Sequence, residues 1–352
     1  MLFISDTSTD PYRNLAEEEY LLKYKSEPIF RLWRNDNAII VGKYQNALAE
    51  INVDYVNEHN IKVVRRLTGG GAVFHDLGNI NFTFIQERNP KEDTGAMFRR
   101  YTVPILEALN SLGIKAYLEG RNDLLIDGKK FSGNAVCIWK NRVLKHGTLL
   151  FDSSMNGLSA ALKSRPEKFI GKAVQSNRSR VTNIKEHLIN PDRSSLSDAI
   201  SAQDLAIPHN PDVLWFKDFL GDYVCKHWDD NDSAVKYELS KAENEAIEML
   251  KNVKYSQDCW NYGSSPEYSL SNIRKFAGGI LEFYFIVDEG VITNLNIRGD
   301  YFFTAQTEDF IKKIIGTVHT KEAITKKVSA LNIDAYFANM NSDDIVNMRM
   351  HR

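Results

Sequence analysis

The chain is short of three things, and each shortage closes a class of function. No window approaches the roughly 20 consecutive apolar residues of a membrane span, and Met1-Leu2-Phe3-Ile4-Ser5-Asp6 lacks a basic stretch followed by a long apolar one. The expected compartment is the cytoplasm, with no membrane partner. Cysteine is scarce. Cys137, Cys225 and Cys259 are odd in number and have no metal-like spacing, which argues for reduced thiols and against disulfides or a structural zinc. Charge of one sign is missing too: Lys+Arg 44 against Asp+Glu 46 leaves a formal net charge of -2. With no basic block and no aromatic-basic interleaving, nucleic acid is not an expected partner.

What is present is 352 residues with 43% hydrophobic content, enough for two domains and a real core. The most informative stretch runs from Val63 to Phe84. Val63-Val64 ends in Arg65-Arg66, Leu67-Thr68 leads into Gly69-Gly70-Gly71, and Ile80, Phe82 and Phe84 then alternate with Asn79, Asn81 and Thr83. This predicts strand, glycine turn and half-buried strand. Three successive glycines cost about 0.5–1 kcal/mol each in backbone entropy, so the turn is expected to leave its amides open to an anion. Arg65 or Arg66 could add a planar fork for phosphate or carboxylate. The triplet is not a Walker A loop, because Ala72-Val73 follows and no Gly-Lys-Ser/Thr occurs.

Around this stretch, Asn14 to Leu22 reads as an amphipathic helix with Asn14 as N-cap. Ile29–Trp33 and Ala38–Gly42 flank Asn35-Asp36-Asn37 as a hairpin would, and a short helix is expected near Tyr55. Met97, Tyr101, Ile105, Ala108 and Leu112 line one face of a helix ending at Gly113, with Pro104 in its first turn or kinking it. Then Asp123–Ile126, Lys129–Trp139 and Val143–Phe151, separated by Asp127-Gly128 and Lys140-Asn141, predict an antiparallel meander. Its adjacent strands could bring Asn122 or Asp123, Lys130 and His146 onto one face. The plainer alternative is an exposed strand lysine and a satisfied core histidine. Ser132, Gly133 and Ala135 leave space beside Lys130, which favours a lysine that stabilises charge in phosphoryl or nucleotidyl chemistry.

Gly171–Thr182 is a basic polar segment, Pro191–Pro211 a polar one, and the charged run Asp229–Glu248 a connector. A boundary near 240–255 follows. An α+β pattern then restarts, with strands over Gly279–Val287 and Val291–Ile297 and helices around Phe310 and Ile324, but no chemical constellation.

Arg65-Arg66-Leu67-Thr68-Gly69-Gly70-Gly71-Ala72-Val73-Phe74-His75-Asp76-Leu77-Gly78-Asn79 is the first of several ordered motifs. With Gly120-Arg121-Asn122-Asp123, Asp127 to Gly133, His146 to Leu150, and Ser179 to Asn183, it closely resembles the lipoate-protein ligase A family. Trp260 to Pro266, Gly278 to Ile280 and Gly299 to Phe302 look like that family's accessory domain. The resemblance implies an α+β fold: a large catalytic domain of mixed, mainly antiparallel sheet with flanking helices (residues 1–245), and a small α+β accessory domain (250–352). It also implies that lipoate and MgATP give lipoyl-adenylate, which is then transferred to a lysine of a lipoyl domain. The acceptors would be 2-oxoacid dehydrogenase E2 subunits or the glycine cleavage H protein.

By the family's pattern, Arg66, Gly71, Ala72, Val73 and Phe74 border nucleotide and acyl-phosphate, together with Thr68, Gly69 and Gly70 of the same turn. His75 and Asn79 support that turn, Asn122 and Asp123 face the adenylate, with Asp123 the magnesium ligand, and Ala135 and His146 line the pocket. Lys130 matches the catalytic lysine. Two alternatives compete: a carrier-to-carrier lipoyl or octanoyl transferase using a cysteine thioester, and a non-catalytic lipoyl- or nucleotide-binding module. Val174 to Ile184 has no cysteine, and Cys137 has apolar neighbours.

Overall fold

The computed structural model describes residues 1–45, 47–120, 122–162, 181–188, 207–228, 234–262, 270–288 and 291–348. The basic segment 171–180, residues 191–206 of the polar stretch, residues 229–233 of the charged connector and residues 263–266 lie outside these.

The chain opens with β1 (Leu2–Ser5) and β2 (Ile29–Trp33), joined by helix α1 (Pro11–Tyr24). β3 (Ala38–Val41), β4 (Lys62–Arg65) and β5 (Val73–His75) then form a separate sheet of order β4-β3-β5. β6 (Asn79–Glu87), β7 (Ala116–Glu119), β8 (Asp123–Ile126), β9 (Lys129–Trp139), β10 (Arg142–Leu150) and β11 (Val235–Lys236) complete the large sheet. Among the described residues its order is β11-β1-β2-β6-β10-β9-β8-β7. The α+β class and the meander are borne out, with φ of 50° at Asp127 and 72° at Gly128 in the β8–β9 turn.

Several local expectations are corrected. β2 and β3 make no hairpin, because they belong to different sheets. The cap of α1 is Asp10, whose side chain accepts from the Tyr12 N–H, while Asn14 lies buried inside the helix. Of the two placements expected for Pro104 only the first turn is overturned, since it sits within the helix Thr94–Ser111. β6 is buried on both faces, not one. Ile80, Phe82 and Phe84 pack with Phe98 and Tyr101 of helix Thr94–Ser111 and with Phe216 and Leu220 of helix Val213–His227. The opposite face contributes Ile85 to a cluster with Leu21 and Leu22 of α1, so its polar residues meet protein and not water.

Helix Lys241–Leu250 starts on a Ser240/Glu243 capping box and packs Ile247 against Leu15 of α1 and Trp33 of β2. A π-helical turn, Lys251–Tyr255, and helix Asp258–Asn261 follow. The Arg65 amide donates to Asn261 Oδ1 (3.0 Å) and its Nε to Trp260 O (2.9 Å), so the chain stays attached to the first unit through Tyr262. The C-terminal unit is a meander of β12 (Leu270–Phe276), β13 (Gly279–Asp288) and β14 (Val291–Gly299), with Phe283 and Phe285 packed against Phe310 and Phe337.

Candidate active site

Since β4 and β5 both pair with β3, the glycine loop that joins them must cross the end of β3 at Gly42. The crossing is tight. A Cβ on Gly42 would lie 2.1 Å from Gly70 O, and Gly70 takes φ +90°, a conformation that favours glycine. A Cβ on Gly69 would lie 2.1 Å from Tyr301 O, and the Gly70 N–H donates to that carbonyl (2.9 Å). At Gly71 the nearest atom is 3.7 Å away, Asp300 Oδ2. The expectation of three glycines opened to a ligand is therefore corrected: close backbone packing demands Gly69 and Gly70, and only Gly71 has room.

The paired arginines also differ from expectation. Arg65 spends its guanidinium on the carbonyls of Gly42 (2.9 Å), Gln45 (2.7 Å), Trp260 (2.9 Å) and Asn261 (2.8 Å), which leaves no fork for an anion. Arg66 donates to the carbonyls of Ile40, Gly69 and Gly71 and to Thr68 Oγ1 (2.8 Å), so it shapes the loop from within. Burial pushes both guanidinium groups down to about 10.

From Thr68 the network runs inward. Thr68 Oγ1 meets His146 Nε2 at 2.8 Å, and His146 Nδ1 meets the Glu18 carboxylate at 3.0 Å. Glu18 also accepts from Thr83 Oγ1 (2.6 Å), which accepts from Trp33 Nε1 (2.8 Å). Burial alone would raise the Glu18 carboxyl, but His146 and these hydrogen bonds hold it below the usual range. His75 is buried beside Asn35 (3.0 Å), and burial, with Arg66 and His146 nearby, pushes its ring down to about 3.

Lys130 stands apart from this network. It is 40% exposed and pairs with Asp123 at 2.7 Å, and a Cβ on Gly133 would come within 3.3 Å of its Nζ. Two cavities meet there. One of about 300 Å³ runs back between Leu15, Trp33, Ile40, His75, Asn81 and His146. The other, of about 700 Å³, is walled by Phe74, Glu119, Leu125, Leu150 and Val181. Ala72, Val73, Asp123, Lys130, Gly133 and Thr148 border both. An acid with an apolar chain in the first cavity can thus present its carboxylate to a phosphate ester in the second, with a lysine between them.

The predicted residues fall into two groups. Arg66, Gly70, Gly71, Ala72, Val73, His75, Asn122, Asp123, Lys130, Ala135 and His146 border the first cavity, and Phe74 the second. Thr68, Gly69 and Asn79 border neither: Thr68 ties Arg66 to His146, Gly69 lies under Tyr301, and Asn79 donates to Asn81 Oδ1 (3.0 Å). Sequence reasoning missed Glu18, Trp33 and Asn81, and also Asp300 and Phe302, which the C-terminal unit adds to the first cavity. The one signal for Glu18 was three consecutive glutamates on a helix that also carries apolar residues.

The sequence matches the Lipoyl protein ligase A/B catalytic domain over residues 10–203 and the Bacterial lipoate protein ligase C-terminus over 265–348. The chain belongs to the lipoate-protein ligase family. It is 37% identical over 351 residues to Lipoate--protein ligase 1 of Staphylococcus aureus, covering 99% of each chain. The structure is similar to the crystal structure of P. falciparum LipL1 in complex with lipoate, with TM-score 0.70, 27% identity and 98% of each chain covered. It is also similar to lipoate-protein ligase A bound with ATP, with TM-score 0.58 and 26% identity over 74% of this chain and 97% of that one. The transferase alternative, which needs a cysteine thioester, is not favoured by these likenesses or by Cys137. That thiol is buried among Ile4, Leu21 and Leu144, burial pushes it up to about 12, and it borders neither cavity. No helix among the described residues is long and apolar enough to cross a membrane.

Proposed function

We propose that this protein activates lipoate with ATP at the junction of the two cavities and passes the lipoyl group to a lysine of a lipoyl domain. The observation that carries the reading is the position of Lys130, on the rim shared by a cavity that runs back to Leu15, Trp33 and Ile40 and a larger one, with Ala72 and Val73 on the same border. A lipoate carboxylate oxygen attacks the α-phosphorus of ATP, forming the acyl–O–P bond as the bond to pyrophosphate breaks. The acceptor ε-amine then attacks the acyl carbon, an amide forms, and AMP leaves with loss of the amine proton. Lys130 contributes positive charge where negative charge builds up, an electrostatic role and not a nucleophilic one. Arg66, with Thr68, Gly69 and Gly70, sets the shape of the loop, and His146 and Ala135 wall the acyl cavity.

Among the described residues no group of three His, Cys, Asp or Glu could hold a metal by itself. Asp123, 41% exposed at the junction, fits a magnesium ion held mostly by phosphate oxygens and water. Such an ion would neutralise phosphate charge when bound. We assign the reaction to the cytoplasm, where ATP is available, and take E2 subunits or the H protein as acceptors. The division into a catalytic unit and an accessory unit is proposed with its seam beyond Tyr262, since the segment before it packs on α1 and Arg65.

The test is the mass of an acceptor lipoyl domain incubated with ATP, lipoate and the protein. One lipoyl increment on a single lysine is expected. An unmodified acceptor under conditions where a known ligase modifies it would sink the reading.

A further inference from the structure

We infer that His75 is a specificity-determining residue, held as the neutral Nε2–H tautomer so that it donates a hydrogen bond to a dithiolane sulfur at the closed end of the first cavity. The inference rests on reading that cavity as the acyl site.

The tautomer follows from a chain of amides. Arg31 Nη2, which can only donate, contacts Asn14 Oδ1 (3.3 Å), and the two protons of Asn14 Nδ2 are shared among the Ser8 and Arg34 carbonyls and Asn35 Oδ1 (2.9 Å), all of them acceptors. Asn35 is thereby oriented with its Nδ2 toward His75 Nδ1 (3.0 Å), so that ring nitrogen must accept and the proton sits on Nε2. A second ring proton would face the Asn35 donor, and burial opposes it as well. The charged or titratable groups facing the ring are Arg66 and His146.

His146 has a partner on each side. Its Nε2 meets Thr68 Oγ1, which accepts from Arg66 Nε, and its Nδ1 meets the Glu18 carboxylate. Both its nitrogens are in use. His75 Nε2 is buried and has no hydrogen-bond partner among the described residues, and neither has Asn81 Nδ2. Both side chains border the first cavity beside Trp33, Leu15 and Ile40, side chains with no acceptor to offer. With the carboxylate at Lys130, this is where the far end of an acyl chain lies. An octanoyl chain ends there in C–H groups and leaves the donors unpaired, whereas dithiolane sulfurs are weak acceptors.

The test compares kcat/KM for pyrophosphate release with lipoate and with octanoate in the full-length protein, His75→Phe and His75→Gln. The wild type should prefer lipoate by about tenfold. His75→Phe should lose that preference through the lipoate value alone, and His75→Gln, which keeps a neutral donor, should recover part of it. In ¹⁵N-histidine NMR, His75 should remain the Nε2–H form across about pH 5 to 8, and its Nε2–H signal should shift with lipoate but not with octanoate. Equal losses for both acids, an Nδ1–H tautomer, or equal shifts with both acids overturn the inference. If His75→Phe does not fold, the NMR arm decides. A wild type inactive with both acids would instead mark failure of the acyl-site reading itself.

Discussion

The closed end of the first cavity and its junction with the second are built on opposite plans. At the closed end, Glu18, His146, Thr68 and Arg66 are buried and joined to one another, from α1 to the glycine loop, before any ligand arrives. At the junction, Lys130 and Asp123 are 40% and 41% exposed and bonded chiefly to each other. The difference separates two tasks. Shape recognition of an acyl chain gains from groups that cannot move, while charge compensation needs groups that can trade a weak surface pair for a substrate.

If that contrast holds, a substitution at the closed end should cost stability and activity together, and one at the junction should cost activity alone. The largest effect is expected for Glu18→Leu, which strands the Thr83 hydroxyl and the His146 Nδ1–H in the interior. Chemical denaturation should show a loss of about 3–5 kcal/mol, with adenylation reduced as well. Next is Lys130→Ala, for which adenylation should fall by about 10²–10³, or ~3–4 kcal/mol in the barrier, with the denaturation midpoint nearly unchanged. A destabilised Lys130→Ala or a fully stable Glu18→Leu would erase the distinction.

Taken over one pH unit, a smaller effect tests the closed end. His75 titrates at about 3 in the fold against 6.5 in the unfolded chain. Below the unfolded value the unfolded chain binds a proton that the folded one refuses, so stability must fall as pH drops from 6.5 toward 3. The slope is about 1.4 kcal/mol per pH unit, and His75→Gln should flatten it in denaturation curves taken within and above that window. The smallest effect should come from Tyr44→Leu, which removes a ring stacked on Tyr301 of the C-terminal unit (5.4 Å). Such a pair contributes about 0.5–1.5 kcal/mol. Adenylation should drop by about threefold to tenfold, with transfer from supplied lipoyl-adenylate unaffected.

The same contrast explains what could be read from the amino-acid order. The junction was legible: Asp127-Gly128 fixes the hairpin that sets Lys130 beside Asp123, and a glycine triplet after paired arginines marks the loop. The closed end was legible only in part: the motifs singled out Arg66, Thr68, His75 and His146, and Glu18 was missed. Glu17, Glu18 and Glu19 look like a solvated helix face, and they are buried only because Arg31, His146 and Lys254 come to meet them from distant parts of the chain. Nor does any local pattern announce that Tyr301 would sit on Gly69 and Gly70, since that contact joins segments far apart in the chain. The missing β2–β3 hairpin has a similar cause: Asn35 acts as a relay between Asn14 and His75, and the turn residues around it carry the chain from one sheet to the other.

The central claim is that a carboxylate is activated by ATP at Lys130 before any acceptor is present. The direct measurement is pyrophosphate release, with mass detection of the nucleotide product, from the full-length protein given ATP and lipoate alone. Pyrophosphate and lipoyl-adenylate should appear, both dependent on lipoate and both nearly absent in Lys130→Ala. Formation of ADP and phosphate, or no product until an acceptor domain is added, would contradict it.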